Sequence, residues 1–146
     1  MFLNEKPSAS LALLATIDPV SQAAGTVSTA WVDLATYFAA LAILSVGAFG
    51  VAATVDAKLQ QATDAAGTGA KDISGKAITQ LLAAGGNNRQ IMINMKSADL
   101  DTENAFRFLR LTVTVGATAT LIAAGLFGAI PHYAVVSNQV GVAQVI

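Results

Sequence analysis

The sequence predicts an all-β protein, a jelly-roll-like β-sandwich of about eight strands with an extended arm at each terminus. Three observations predict it. Residues 109–115 put Leu109, Leu111, Val113 and Val115 on one side and Arg110, Thr112 and Thr114 on the other. That is a strand's period of two, because successive strand side chains point to opposite faces. Similar runs recur at regular spacing, separated by glycine, proline, asparagine and aspartate. Threonine at every second position has no helical rationale, whereas in a sheet it gives a face that tolerates water or another protein. The 146 residues are enough for one domain with a full core.

Taken in order, residues 1–9 read as an irregular arm and residues 10–17 as a first strand, closed by Asp18-Pro19, where proline removes a ladder donor. Residues 26–32 form a second, with Val27, Thr29 and Trp31 on one face; the lone tryptophan anchors the core or an interface. Residues 40–49 are apolar on both faces, Leu41 and Ile43 on one and Ala42, Leu44 and Val46 on the other. Such a strand is expected to be covered twice, by a second sheet and by a neighbouring subunit or a loop. The predicted core includes Leu41, Ile43, Leu44, Leu111 and Val113. In residues 55–62, Val55, Ala57 and Leu59 face inward and Asp56, Lys58 and Gln60 outward.

Residues 63–76 read as the longest loop, followed by a short strand at 78–82. Alanine content offers helices over 52–66 or 77–84 instead. Residues 85–88, Gly-Gly-Asn-Asn, make a turn, and in residues 89–96 Ile91, Ile93 and Met95 alternate with Gln90, Asn94 and Lys96. An acidic turn at 99–104 leads into two long strands within 106–127, joined at Gly116 as a hairpin. The boundaries are thus an arm over 1–9, a sandwich over 10–130 and an arm over 131–146.

Net charge is -1 and 12% of residues are charged, about half the usual share. No basic patch gathers, so a nucleic-acid partner is not expected. Without cysteine there are no disulfides or thiolate metal sites. With 54% hydrophobic residues, the competing architecture is a small integral membrane protein with two helical spans, at about 34–55 and 112–130. Glycine and β-branched residues argue against those helices, so no membrane association is expected. The start, Met-Phe-Leu-Asn-Glu-Lys-Pro, does not look like a secretory signal, since Lys6 is offset by Glu5 and the next apolar run is short.

No catalytic motif is visible, and neither enzymatic activity nor a cofactor is expected. Gly67-Thr-Gly69 lacks the third glycine of a dinucleotide fingerprint, and Ala77 stands where a phosphate loop needs Ser or Thr. Asp99, Asp101 and Glu103 begin like a calcium loop, but Asn104 and Arg110 occupy the glycine and glutamate positions. The single histidine, His132, excludes a multi-histidine metal site and is placed at the root of the C-terminal arm. Arg107 and Arg110 fall on opposite faces, so one is expected inward and paired, in a salt bridge.

The C-terminal arm carries no charge. Its Tyr133, Val135, Val136, Val140, Val142 and Ile146, together with Trp31, are the interface candidates. The arm is expected to lie on an adjacent subunit as an added strand or strap, the alternative being that it folds back on its own domain.

Residues 27–33 (Val-Ser-Thr-Ala-Trp-Val-Asp), 42–48 (Ala-Ile-Leu-Ser-Val-Gly-Ala), the run 55–81 and residues 106–116 (Phe-Arg-Phe-Leu-Arg-Leu-Thr-Val-Thr-Val-Gly) together form a pattern that resembles the decoration, or cement, proteins of tailed bacteriophage heads. It runs over most of residues 10–130 and leaves the arms unmatched. The resemblance implies a structural virion protein on the capsid surface, assembled in the host cytoplasm. It further implies a homo-oligomer, dimer or trimer, whose partner is the major capsid protein, clamped across neighbouring subunits.

Overall fold

The computed structural model describes residues 5–133 and 136–146. Val135 and residues 1–4 of the N-terminal arm lie outside them. Ten strands follow in order: β1 (Leu11–Gln22), β2 (Gly25–Ser28), β3 (Val32–Asp33), β4 (Tyr37–Phe49), β5 (Thr54–Ala62), β6 (Lys71–Ala77), β7 (Leu81–Leu82), β8 (Arg89–Lys96), β9 (Phe108–Gly116) and β10 (Thr120–Pro131). The first sheet is ordered β1-β10-β4-β8 and the second β2-β9-β5-β6, with β3 extending β2 along β9 and β7 extending β6 along β5. All the pairings are antiparallel.

Counting β2 with β3 and β6 with β7 as interrupted single strands, eight positions remain. The first pairs with the last, the second with the seventh, the third with the sixth and the fourth with the fifth. One long antiparallel ribbon rolled into two facing sheets is the jelly roll, so the expected all-β sandwich is the fold.

The core lies between the sheets. From the first come Ala12, Ala15, Ala42, Leu44, Val46, Ile93, Ile122 and Leu126; from the second come Val55, Leu59, Leu109, Leu111, Val113 and Val115. Most of these side chains alternate with one on the outer face, as the sequence period requires, and the register shift between Leu13 and Ala15 restores the inward face on β1. Burying one of these leucines contributes about 1.5–3 kcal/mol against leaving it wet.

Several expectations are corrected. The strands on either side of Gly116 are not a hairpin: β9 belongs to the second sheet and β10 to the first. Alternation shows that each strand has a buried face, but not which sheet holds it. The chain crosses from one sheet to the other through Ala117, at φ 64°, and the corner is tied where Thr118 Oγ1 donates to the Val51 carbonyl at 2.7 Å and the Gly50 N–H donates to the Ala119 carbonyl at 2.9 Å.

Asp18-Pro19 does not close β1. The strand continues to Gln22, with a register irregularity between Ile17 and Val20. Because β1 is an edge strand, its proline sits at a bulge without costing an inner ladder bond. The 63–76 loop ends earlier than expected, since Lys71–Ala77 is β6. This edge strand buries Ile73 alone, so its sequence carries a loop's polarity.

Neither alanine-rich helix forms. Residues 54–62 are β5, and Ala83–Gly86 is a single turn in which Ala84 and Gly85 leave helical dihedrals. Pairing with β9 overrides alanine's propensity. The two membrane spans fall for the same reason: Tyr37–Phe49 is β4, and most of 112–130 lies in β9 and β10. Among the described residues no helix is long and apolar enough to cross a membrane. Of the predicted core, Leu44, Leu111 and Val113 are buried, whereas Leu41 and Ile43 are half-buried on the outer face of the first sheet.

Candidate interface surfaces

The two outer faces have opposite chemistry. On the second sheet, Thr26 and Thr114 share a hydrogen bond of 2.9 Å, as do Ser28 and Thr112. Gln60 Oε1 accepts from Arg110 Nε at 3.0 Å, from Arg110 Nη2 at 2.8 Å and from Thr112 Oγ1 at 3.0 Å. Lys58 pairs with Asp72 at 2.8 Å, and Gln60 Nε2 donates to the same carboxylate at 2.7 Å. The expected threonine-lined, wet face is this one, a network in which polar groups satisfy one another.

Trp31 belongs to that network. The Arg110 guanidinium lies 4.5 Å from its ring centroid, and a side chain at Gly67 would meet its Nε1 at 2.5 Å. Trp31 is therefore half-buried between a cation and a loop. Neither arginine is inward: Arg107 pairs with Asp33 at 2.8 Å at the surface, and Arg110 is held by Gln60 and Trp31.

The outer face of the first sheet is apolar across β4 and β10, while its edge strand β8 adds Gln90, Asn94 and Lys96 beside Met92. Its floor is made of small residues, Ala39 and Ser45 on β4 and Ala123, Gly125 and Ala129 on β10. Over it stand Leu13, Leu41, Ile43, Phe127 and, at 65% exposure, Met92. A Cβ at Gly125 would come within 2.9 Å of the Phe127 ring, so the glycine leaves room for the ring to lie over β10. Shallow depressions mark this face, and the charged groups lining them are Asp18 toward one corner and Lys96, Lys76 and Asp99 toward the diagonally opposite one. Lys76 and Asp99 pair at 2.9 Å.

The C-terminal arm meets the free edge of this sheet in its own chain. The Leu13 N–H donates to Asn138 Oδ1 at 2.9 Å, and the Gln139 N–H donates to the Leu13 carbonyl at 2.8 Å. Gln139 Nε2 reaches Thr16 Oγ1 at 3.4 Å. These contacts occupy backbone groups that an edge strand otherwise leaves open at the irregularity beside Leu13. Val136 packs against the core. Beyond this anchor Val140 and Ile146 are exposed at 107% and 96%, and Val142 is half-exposed. At the arm's root His132 packs against the exposed Phe38, centroids 3.7 Å apart with the rings tilted by 46°, and the exposed Tyr133 follows His132.

The loops dismissed as catalytic are self-contained turns. Asp64 accepts from the N–H groups of Ala66 and Thr68 at 2.9 and 3.0 Å, and hydrogen bonding with Thr68 holds its carboxyl below the usual range. Asp101 pairs with Lys71 and Asn104, which lower its pKa, and Asp99 is lowered by the Lys96 N–H and by Lys76. Among the described residues no group of three or more His, Cys, Asp or Glu side chains is placed to hold a metal ion.

Sequence reasoning missed the contributions of Leu13, Met92 and Phe127 to the apolar face. The signal was the doubly apolar β4, and the outward residues of its neighbours could have been read against it.

No family model matches the sequence, and no curated protein does either. Among solved structures, a chain of broad bean stain virus aligns with 91% of this chain and 96% of its own at 12% identity, with a TM-score of 0.44. A Desmodium yellow mottle tymovirus chain gives 91% and 93% coverage, 11% identity and a TM-score of 0.39. For empty particles of cowpea mosaic virus the figures are 91%, 95%, 12% and 0.40. The jelly-roll assignment rests on the strand order itself.

Proposed function

We propose that this chain is a structural virion protein, a capsid decoration or cement protein of a tailed bacteriophage, which stabilises the head by clamping neighbouring major capsid subunits from outside. The observation that carries this reading is the contrast between the two outer faces. A satisfied polar network suits water, whereas Leu41, Ile43, Phe127 and Met92 gain only when protein covers them. The interior is packed with apolar side chains, so function falls to surfaces. Jelly rolls recur in viral capsids, lectins and cupins, and the resemblance of residues 10–130 to head-decoration proteins favours the first. In this reading the protein joins the virion in the host cytoplasm, performs no catalysis, and uses the arm beyond Gln139, with Val140, Val142 and Ile146, as its contact with the capsid. Val135, Val136, Tyr133 and Trp31 complete the proposed contact set.

The test is sedimentation of the purified protein with expanded, undecorated phage heads, using the full chain and a chain ending at Gln139. The full chain should pellet with the heads and the shortened one should not, while both give the same circular dichroism spectrum. Equal pelleting of the two would remove the arm from the mechanism, and absence of pelleting by the full chain would overturn the reading.

A further inference from the structure

We propose that the apolar face of the first sheet is covered by the same face of a second copy, making a two-fold dimer whose sheets cross at close to a right angle. This deepens the virion reading and rests on it, because it makes the clamp a pair of domains with an arm on each.

Four strands spaced about 4.8 Å apart, each contributing about eight residues opposite 39–46, present a flat area of about 19 by 26 Å. Side-chain relief raises this toward the roughly 800 Å² per partner that a specific interface buries. The relief is mixed, with Leu41, Ile43 and Phe127 standing beside Ala39, Ala123 and Gly125, so the large groups of one copy have small ones to enter on the other.

The charges then choose the partner. Lys76 and Asp99 neutralise each other at 2.9 Å. Asp18, which accepts from Thr16 Oγ1 at 3.0 Å, and Lys96, which also lies near Asp99, stand at diagonally opposite corners of the face: Lys96 is level with Ala39 on β8, and Asp18 follows Ile17, itself level with Leu44, on β1. A two-fold axis in the plane of the interface, perpendicular to the line joining them, brings each Asp18 against the other copy's Lys96. The same operation turns the strands to cross nearly at right angles, one of the two ways in which sheets pack. Contacts of this kind, residue i on j and j on i, are what an isologous dimer requires.

The experiment is mass measurement by light scattering of the full chain, alongside Asp18→Lys, Lys96→Asp, the double reversal and Ile43→Glu, with circular dichroism to verify folding. Two-copy mass is expected for the parent and the double reversal, and one-copy mass for each single reversal and for Ile43→Glu. A one-copy parent, or a two-copy mass untouched by Ile43→Glu and both single reversals, overturns the dimer. A one-copy parent that still pellets with phage heads overturns the dimer alone; a two-copy parent that responds as expected yet ignores the heads leaves the dimer standing and removes the virion reading.

Discussion

At the scale of single residues, two buried threonines separate a satisfied polar group from an unsatisfied one. Thr29 Oγ1 accepts the Leu111 N–H at 3.0 Å inside the second sheet. Thr120 is 1% exposed, and its Oγ1 has no hydrogen-bond partner. A buried donor left without a partner costs about 1–3 kcal/mol, whereas an apolar group of the same shape carries no such penalty. Thr120→Val is therefore expected to raise stability by about 1 kcal/mol and Thr29→Val to lower it by about 1–3 kcal/mol, since that change strands the Leu111 N–H. Urea unfolding measures both, and a loss at Thr120 would show that its hydroxyl is bonded after all.

At the scale of elements, the Trp31 assembly joins three separate stretches: the segment before β3, the loop before β6 and β9. Gly67 sits at φ 85°, a conformation that L side chains rarely adopt, with the indole where a Cβ would go. Gly67→Ala is expected to cost at least about 1 kcal/mol, strain and collision acting together. Because Trp31 is the only tryptophan, its emission should move to the red as Arg110 and the loop separate from it. Unchanged emission together with unchanged stability would refute the packing role.

The same elements show how much the sequence revealed. Alternation located β5, β8, β9 and the inward set Leu109, Leu111, Val113 and Val115, because burial on one face writes period two directly into residue choice. It misplaced the partners of β9 and β10, since pairing is decided by contacts distant in sequence. It also missed β6 and the end of β1, where edge strands carry the polar residues, glycine and proline that elsewhere mark loops. The apolar surface was half visible: β4 announced a second apolar face, but Leu13, Met92 and Phe127 joined it only once β1, β8 and β10 were arranged around it.

For the whole molecule, charge acts through paired carboxylates. Lys58 and Gln60 lower the pKa of Asp72, Lys71 and Asn104 that of Asp101, the Lys96 N–H and Lys76 that of Asp99, and Thr68 that of Asp64. Three of these pairings bridge segments far apart in sequence: β5 to β6, β6 to the 99–104 turn, and β6 to the turn after β8. A carboxyl whose folded pKa lies below its unfolded value binds fewer protons when folded. Its stabilisation is therefore complete above the unfolded carboxylate range and is lost as pH falls through the folded pKa. Unfolding midpoints should be level near neutrality and decline steadily as pH drops below the ordinary carboxylate range. Removing the ammonium partner of Asp101 with Lys71→Met should make that decline shallower while lowering the neutral plateau only slightly, because the pair is partly solvent-exposed and screened. A midpoint that rises on acidification, or an acid limb unchanged by Lys71→Met, would show that these pairings do not link the second sheet to its turns.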